Sequence, residues 1–198
     1  MVKLFLSGGG SQEDSKELDK LFIKELSGKL LYVPIAMESR PYSDCLKWLK
    51  YCLNPLDFED IEMITDLKKI KDLSKYSGIY FGGGNTFKLL KEIKESGFDK
   101  LLLDFIKENK PVYGGSAGAI ILGNNILTSQ DKNNVNLEDF NGLNLINDYS
   151  IWCHYEENEK DNVKGYVKKN NKVITLPEGS GIIFDGEIRK VNEVLIID

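Results

Sequence analysis

The amino-acid sequence predicts an α/β fold of three layers, in which a mainly parallel sheet is flanked by helices on both faces and carries an antiparallel C-terminal extension. Two patterns predict it. As far as Leu122, short apolar runs alternate with amphipathic segments of helical period, which is typical of parallel strands joined by helices. From Val173 onward, short strands follow one another closely. A chain of 198 residues can bury one core, so we expect a single domain over residues 1–198.

The individual elements follow from apolar periodicity and from the glycines and prolines between them. The predicted strands of the parallel part are residues 2–6, 29–33, 61–64, 78–81 and 111–114. The predicted helices are residues 11–26, 42–53, 66–73, 85–93, 98–108 and 117–122. The later predicted strands are residues 149–153, 173–176, 181–184, 187–191 and 194–197. An Asp-Gly pair at residues 185–186 predicts a hairpin turn.

Composition argues against several classes of partner. The net charge of −5 and the interleaving of lysines with acids give no field that would favour nucleic acid or an anionic membrane. The N-terminal apolar run is too short for a signal peptide, and no apolar stretch approaches the ~20 residues that span a bilayer, so we expect a cytoplasmic protein. The three cysteines lack metal-like spacing and only one histidine is present, so we expect no metal, no cofactor and no disulfide.

Two glycine-rich turns follow predicted strands, at residues 82–85 and 114–118, where ligands bind in open α/β sheets. Neither turn has the GxGxxG pattern or the lysine of a P-loop, which argues against nucleotide binding. The second turn, Gly-Gly-Ser-Ala-Gly, fits GxSxG, in which a serine sits on a sharp strand-to-helix turn with its hydroxyl exposed. Ser116 is therefore a candidate nucleophile, and the N–H of Ala117 is a candidate oxyanion donor. The alternative is a tight turn in which Ser116 only caps the helix.

A serine nucleophile needs a base, and the base needs an acid that orients it. His154 is the only histidine in the chain, so it must be the base if an imidazole activates Ser116. Glu178 is the preferred acid because it lies in a rigid Leu-Pro-Glu-Gly turn directly after a predicted strand. Asp131, in a polar loop, is the competing acid. Local sequence also allows a purely structural histidine and an ordinary exposed glutamate.

Three runs together resemble peptidase family S51, the serine peptidases that include aspartyl dipeptidase (peptidase E) and cyanophycinase. The runs are residues 81–87, 114–119 and 176–179, in an order and spacing similar to those of the family. The resemblance implies a class I glutamine amidotransferase-like fold and a Ser-His-Glu triad. It implies the roles of Ser116 as nucleophile, His154 as base, Glu178 as acid, Gly83, Gly84 and Ala117 as oxyanion hole, and Asn85 and Asp131 as substrate-binding residues.

The resemblance also implies hydrolysis of short peptides, with a small peptide as the partner and the chain as a monomer or homodimer. The chain departs from aspartyl dipeptidases around the base, where residues 152–155 read Trp-Cys-His-Tyr and residues 156–169 contain lysines but no arginine. A guanidinium selects a carboxylate more sharply than an ammonium does, so we expect a looser preference for N-terminal Asp. The sequence places neither Arg40 nor Arg189 at this subsite. The alternatives are another amide or ester hydrolase on the same scaffold and a catalytically inactive binding protein.

Overall fold

The computed structural model describes residues 2–198, which form a seven-stranded and a three-stranded β-sheet. The larger sheet has the order β3-β2-β4-β5-β1-β8-β9, and the smaller has the order β10-β7-β6. The strands are β1 (Leu4–Ser7), β2 (Leu30–Val33), β3 (Ile61–Met63), β4 (Gly78–Phe81), β5 (Val112–Gly115), β6 (Tyr149–Cys153), β7 (Lys172–Leu176), β8 (Gly181–Phe184), β9 (Ile188–Val191) and β10 (Leu195–Ile197).

Five strands of the larger sheet, from β3 across to β1, are parallel, and β8 and β9 add an antiparallel edge. Parallel strands require crossover connections, which helices supply here. The helices are α1 (Gln12–Ile23), α2 (Tyr42–Leu53), α3 (Thr86–Ser96), α4 (Phe98–Lys107), α5 (Ala117–Leu122) and α6 (Lys160–Val167). Within residues 2–198, no helix combines the length and the apolar character that a bilayer span requires.

Successive side chains of each strand point to opposite faces of the sheet, and this alternation divides the core into two layers. Leu4 and Leu6 of β1 pack in the cluster that also holds the apolar side chains of α3, α4 and α5. Phe5, between them, packs on the other face with α1 and α2. The three-layer α/β arrangement predicted from the sequence is therefore confirmed.

The C-terminal strands were predicted as one extension at one edge, and the structure divides them between two sheets. The pair β8 and β9 joins the larger sheet through the predicted turn at residues 185–186, whereas β7 and β10 join β6 in the smaller sheet. Within that sheet β6 and β7 are parallel. Apolar periodicity marks a segment as a strand but does not identify its partner, because either sheet can bury the same apolar face.

Two helical segments also differ from the prediction. The helix predicted over residues 66–73 is a single 3₁₀ turn, Leu67–Lys69. Helix α6 was not predicted, because its exposed lysines and acids leave Val163 as its one fully buried side chain. A helix with so narrow an apolar face gives little periodic signal.

A buried carboxyl lies between α1 and the sheet. Asp19 is 1% exposed, and its Oδ2 accepts a hydrogen bond from the Ser15 hydroxyl at 2.8 Å. Its Oδ1 has no hydrogen-bond partner among the described residues. Burial raises the pKa of Asp19 to about 6, against the opposing effect of the Ser15 and Tyr113 hydroxyls. The aromatic side chains of Tyr113 and Tyr80 pack nearby, and no lysine or arginine within residues 2–198 forms an ion pair with Asp19.

We predict that Asp19→Asn stabilises the protein above pH 6. The folded-state pKa of about 6 lies above the value of about 3.9 for an unfolded aspartate. The folded state therefore binds the proton more tightly, and the free energy of unfolding falls by ~3 kcal/mol as the pH rises between these values. The asparagine variant lacks this fall. Urea denaturation between pH 4.5 and 7.5, in steps of about half a unit, measures the difference.

The control is Asp104→Asn, which changes an exposed carboxylate of α4 that pairs with Lys107. This variant should keep the wild-type dependence on pH. An Asp19→Asn variant with the wild-type dependence would contradict the assignment of the raised pKa.

Candidate active site

Ser116 lies on a strained turn between β5 and α5. Its backbone has φ 50° and ψ −110°, a conformation that side-chain-bearing residues rarely adopt. The turn is fixed at both sides, because the Ser116 N–H donates to Ser7 O at 3.1 Å and its carbonyl accepts from Ala119 and Ile120 at 2.8 and 3.0 Å. This geometry projects the hydroxyl away from the sheet, as expected of a nucleophile elbow.

The glycines of the turn are required by space. A Cβ on Gly118 would lie 2.6 Å from the carbonyl oxygen of Phe81, and one on Gly114 would lie 2.5 Å from the backbone of Gly118. Both contacts are with backbone, which cannot move aside without displacing a strand or the helix. The turn at residues 114–118 therefore packs against β4 only because positions 114 and 118 have no side chain.

His154 follows the last residue of β6 and reaches Ser116 from the smaller sheet. Its Nε2 lies 2.7 Å from Ser116 Oγ. The backbone of His154 has φ 54°, and its N–H donates to Gly8 O at 3.1 Å. This bond fixes the backbone that carries the imidazole to the loop that follows β1.

Glu178 lies in the turn between β7 and β8 and completes a continuous series of contacts. Its Oε1 is 3.0 Å from His154 Nδ1. The two side chains are 47% and 61% exposed, so their attraction is screened by solvent and contributes little to stability by itself. Its consequence is geometric, because an acceptor at Nδ1 fixes the orientation and the tautomer of the imidazole.

A third glycine-rich loop, residues 8–10, positions both of these side chains, and the sequence analysis did not identify it. A Cβ on Gly8 would lie 2.3 Å from Pro177 O, and one on Gly9 would lie 2.3 Å from His154 Cε1. The carbonyl of Gly9 accepts from the N–H of Gly179 at 3.1 Å. The available signal was three consecutive glycines directly after a buried strand, the same placement as the other two glycine-rich turns.

Gly83 and Gly84 precede α3 in a loop that lies next to Ser116, and Ala117 directly follows Ser116 in the chain. The Cβ position of Gly83 lies 3.9 Å from Ser116 Oγ. None of the N–H groups of Gly83, Gly84 and Ala117 donates to another described residue. Gly84 packs against the carbonyl of Ala36, which would lie 2.3 Å from an added Cβ. The loop is thus held next to Ser116 with its N–H groups available to a ligand.

The side chains of Asn85 and Asp131 are occupied largely by the protein itself. Asn85 Oδ1 accepts from the Lys88 N–H at 3.0 Å and caps α3, while its Nδ2 donates to Lys132 O at 2.9 Å. Asp131 Oδ2 accepts from the N–H and the hydroxyl of Thr86 at 2.8 and 2.7 Å. Asp131 makes no hydrogen bond to His154 among the described residues. The imidazole Nδ1 faces Glu178, the other acid considered from the sequence.

Two cavities adjoin Ser116 and His154 and meet at Gly84. The first, here called the Arg40 cavity, has a volume of about 330 Å³. Its wall also contains Tyr32, Met37, Arg40, Trp48 and Tyr80. The second, here called the Asp131 cavity, has a volume of about 340 Å³ and is lined also by Ile120, Thr128, Ser129, Gln130, Asp131 and Cys153. Asn85, expected to bind substrate, lines neither cavity.

The sequence analysis assigned no subsite to Arg40, and the structure places this residue in the wall of the cavity beside Ser116 and His154. Arg40 lies in the loop between β2 and α2, and this loop bends over the carboxyl ends of the strands next to Gly84. The sequence carried no signal for this position, because a short irregular loop has no periodicity from which its direction can be read.

Within residues 2–198 no group of three or more His, Cys, Asp or Glu side chains is arranged to hold a metal ion. Cys45, Cys52 and Cys153 are free and buried. Burial raises the pKa of Cys153, whose Sγ lies 3.7 Å from Ser7 O and 3.6 Å from Ser116 O, beneath the elbow. A buried neutral thiol in this position packs as a small apolar group.

Comparison with known proteins finds relatives of this chain in one peptidase family. The model of peptidase family S51 matches residues 4–191. An uncharacterized peptidase of Listeria monocytogenes serovar 1/2a is 34% identical over 193 residues, which cover 93% of this chain and 90% of that protein. Peptidase E of Actinobacillus pleuropneumoniae serotype 5b is 28% identical over 204 residues, covering 94% of this chain and 87% of that protein.

Two solved structures share the fold. The crystal structure of a candidate peptidase E protein from Listeria monocytogenes EGD-e has a TM-score of 0.72 and 29% identity, and the match covers 99% of this chain and 98% of that one. The crystal structure of a peptidase from an acI-B1 actinobacterium has a TM-score of 0.73 at 15% identity, covering 100% and 91% of the two chains. At that identity the second likeness concerns the fold alone.

We predict that Gly9→Ala displaces the His154 imidazole and lowers the reactivity of Ser116. The backbone of Gly9 has φ +101°, and the new methyl group would lie 2.3 Å from Cε1 of the imidazole. A displacement of about 1 Å is enough to reduce reactivity roughly 100-fold. The measurement is the rate at which a fluorophosphonate labels Ser116, with thermal unfolding recorded on the same sample. Gly28→Ala is the control, since a Cβ there meets nothing within 4 Å. Labelling of Gly9→Ala at the wild-type rate would contradict the prediction.

Proposed function

This chain belongs to peptidase family S51, and we propose that it is an exopeptidase that hydrolyses short peptides with a Ser116-His154-Glu178 triad. Membership of the family makes the chain a serine peptidase; the triad and the choice of substrate are the proposal. One observation carries it. An unbroken series of contacts runs from Ser116 Oγ to His154 Nε2 at 2.7 Å and from His154 Nδ1 to Glu178 Oε1 at 3.0 Å.

The first half of the reaction follows from this arrangement. Ser116 Oγ attacks the carbonyl carbon of the scissile bond while His154 Nε2 takes the hydroxyl proton. The negative charge that forms on the carbonyl oxygen is stabilised by the N–H groups of Gly83, Gly84 and Ala117. When the tetrahedral intermediate collapses, the C–N bond breaks, and the imidazolium donates its proton to the departing amine. An acyl ester on Ser116 remains.

The second half repeats the proton transfers with water. His154 Nε2 removes a proton from a water molecule, whose oxygen attacks the acyl carbon. The bond to Ser116 Oγ then breaks, and the imidazolium returns the proton to the serine. Glu178 acts throughout by accepting a hydrogen bond from Nδ1, which keeps Nε2 unprotonated and directed at Ser116 in the resting enzyme.

The preference for short peptides is supported by the size and the number of the cavities. Ligand cavities range over roughly 300–1,000 Å³, and both cavities beside Ser116 lie near the lower limit of that range. They meet at the nucleophile, so a peptide with its scissile carbonyl at Ser116 would extend a short distance into each. The peptidase E relatives support peptides as the substrate class.

Asp131 is proposed to bind the α-ammonium group of the substrate. All three hydrogen bonds that its carboxylate accepts, two from Thr86 and one from Ser129, are made by Oδ2. Oδ1 accepts none within residues 2–198 and belongs to a residue that lines the cavity beside Ser116. Asn85 acts indirectly in this proposal, because its side chain caps α3 and fixes the loop that contains Gly84.

We predict that Ser116→Ala keeps the fold and abolishes peptide hydrolysis. Loss of the attacking oxygen lowers kcat by ~10⁴-fold or more in enzymes of this mechanism. The measurements are kcat on a dipeptide panel and labelling by a fluorophosphonate. Ser74→Ala, which removes an exposed hydroxyl bonded to Asp72, is the control and should remain fully active. Peptide hydrolysis by Ser116→Ala would exclude the serine mechanism. Labelling of the wild type without cleavage of any peptide would favour another amide or ester hydrolase on this scaffold.

We predict opposite kinetic effects for the two acids near the site. Glu178→Gln should lower kcat by roughly 100-fold or more, because the amide leaves the imidazole in the wrong tautomer or orientation. Asp131→Asn should mainly raise KM, because the carboxylate faces the substrate and makes no bond to His154. Steady-state kinetics on one dipeptide measures both. A large loss of kcat in Asp131→Asn, with a small loss in Glu178→Gln, would assign the triad acid to Asp131.

A further inference from the structure

Arg40 lies in the wall of a substrate cavity without a partner of its own. It lines the Arg40 cavity together with Ser116 and His154. Its guanidinium makes no ion pair and no hydrogen bond within residues 2–198. The other arginine, Arg189, is on β9 at the edge of the larger sheet and pairs with Asp185 at 2.7 Å. One arginine of the chain is therefore engaged at the surface, while the other is available beside the nucleophile.

The loop that carries Arg40 is anchored to the loop beside Ser116. The carbonyl of Ala36 accepts from the N–H of Asn85 at 2.8 Å. The ammonium group of Lys88 donates to the carbonyl of Met37 at 3.4 Å. These bonds fix the backbone on the approach to Arg40 relative to the cavity. The position of the guanidinium can therefore change only by rotation of the Arg40 side chain and of the few residues before it.

Arg40 shares the wall of its cavity with Tyr32 and Cys45. Burial raises the pKa values of Tyr32 and Cys45, and the positive charge of Arg40 acts on both groups in the opposite direction.

Arg40 is the only arginine or lysine among the described residues that line the two cavities. The segment after His154 offers Lys160 and Lys164, which pair with Glu157 and Asp161 at 2.6 and 3.1 Å. The cleft consequently has a cation at one end, Arg40, and a carboxylate at the other, Asp131.

This polarity fits a peptide whose ends carry opposite charges. We infer that Arg40 binds a carboxylate of the substrate in the Arg40 cavity, while the α-ammonium group is directed to Asp131. The inference rests on the proposed function and names the substrate class of the same site. With the α-ammonium at Asp131, the residue released by cleavage occupies the Arg40 cavity and brings the C-terminal carboxylate of a dipeptide to Arg40. An acidic side chain on the released residue would be a second source of a carboxylate in this cavity.

The test compares peptides that differ only in one carboxylate. Ala-Leu is compared with Ala-Leu-amide, and Ala-Asp with Ala-Asn, for the wild type, Arg40→Gln and Arg40→Lys. A charged hydrogen bond should make the wild type favour the carboxylate member of at least one pair by roughly 10- to 100-fold in kcat/KM. Arg40→Gln should abolish that preference by raising KM for the carboxylate member, with kcat and the partner peptide little changed. Arg40→Lys should be intermediate, since an ammonium lacks the bidentate fork.

The two pairs distinguish the two sources of the carboxylate. A preference lost only between Ala-Leu and its amide assigns Arg40 to the C-terminus, and one lost only between Ala-Asp and Ala-Asn assigns it to an acidic side chain. Arg189→Gln is the matched control and should retain the wild-type ratios. Equal effects of Arg40→Gln on all four peptides, or none on any, would overturn the inference.

Binding to an inactive enzyme separates this inference from the proposed function. Calorimetry measures the affinity of the same four peptides for Ser116→Ala and for Ser116→Ala combined with Arg40→Gln. A weakening of roughly 10-fold or more confined to carboxylate peptides supports the inference even if the wild type cleaves none of them, in which case the proposed function alone fails. Cleavage by the wild type together with equal affinities in the two variants refutes the inference alone. Absence of both binding and cleavage refutes both.

Discussion

The docking of the smaller sheet onto the loop after β1 is the constraint on which the candidate site depends. Ser116 belongs to the larger sheet, His154 to the smaller one, and Glu178 to the connection between β7 and β8. Three backbone hydrogen bonds hold these parts together at residues 8–10. They join His154 N–H to Gly8 O, Gly179 N–H to Gly9 O, and Gly8 N–H to Ser180 O, at 3.1, 3.1 and 3.0 Å.

These backbone contacts are needed because the side chains of the site cannot fix one another. The His154–Glu178 pair is about half exposed, and exposed ion pairs contribute ~0–1 kcal/mol. The strained backbone of Ser116 opposes the arrangement by roughly 1–3 kcal/mol. The arrangement persists because the surrounding backbone is bonded and closely packed on every side. The glycines permit this packing, since a single methyl group at Gly8 or Gly118 would meet backbone atoms at 2.3 or 2.6 Å.

The sequence allowed prediction of the elements and of the elbow because both depend on local patterns. The parallel strands and helices follow from periodicity, and Gly-Gly-Ser-Ala-Gly after an apolar run indicates a strained serine turn without reference to the rest of the chain. What could not be predicted depends on partners distant in sequence. The division of β7 to β10 between two sheets, the contact of residues 8–10 with His154, and the approach of Arg40 to the cavity all belong to this class.

The proposed catalytic residues and the proposed substrate-selecting residues lie in parts of the fold that differ in the same way. Ser116 and His154 lie at strand ends, and Gly84 packs against Ala36 with no room for a side chain. Arg40 and Asp131 lie on connections, where hydrogen bonds from Thr86 and Ser129 hold the Asp131 carboxylate and none holds the Arg40 guanidinium within residues 2–198. A substitution on these connections can change the charge that a peptide end meets without disturbing the elbow. In the inference drawn for Arg40, the lack of arginine after His154 does not remove guanidinium recognition from this cleft, because Arg40 supplies it from a different loop.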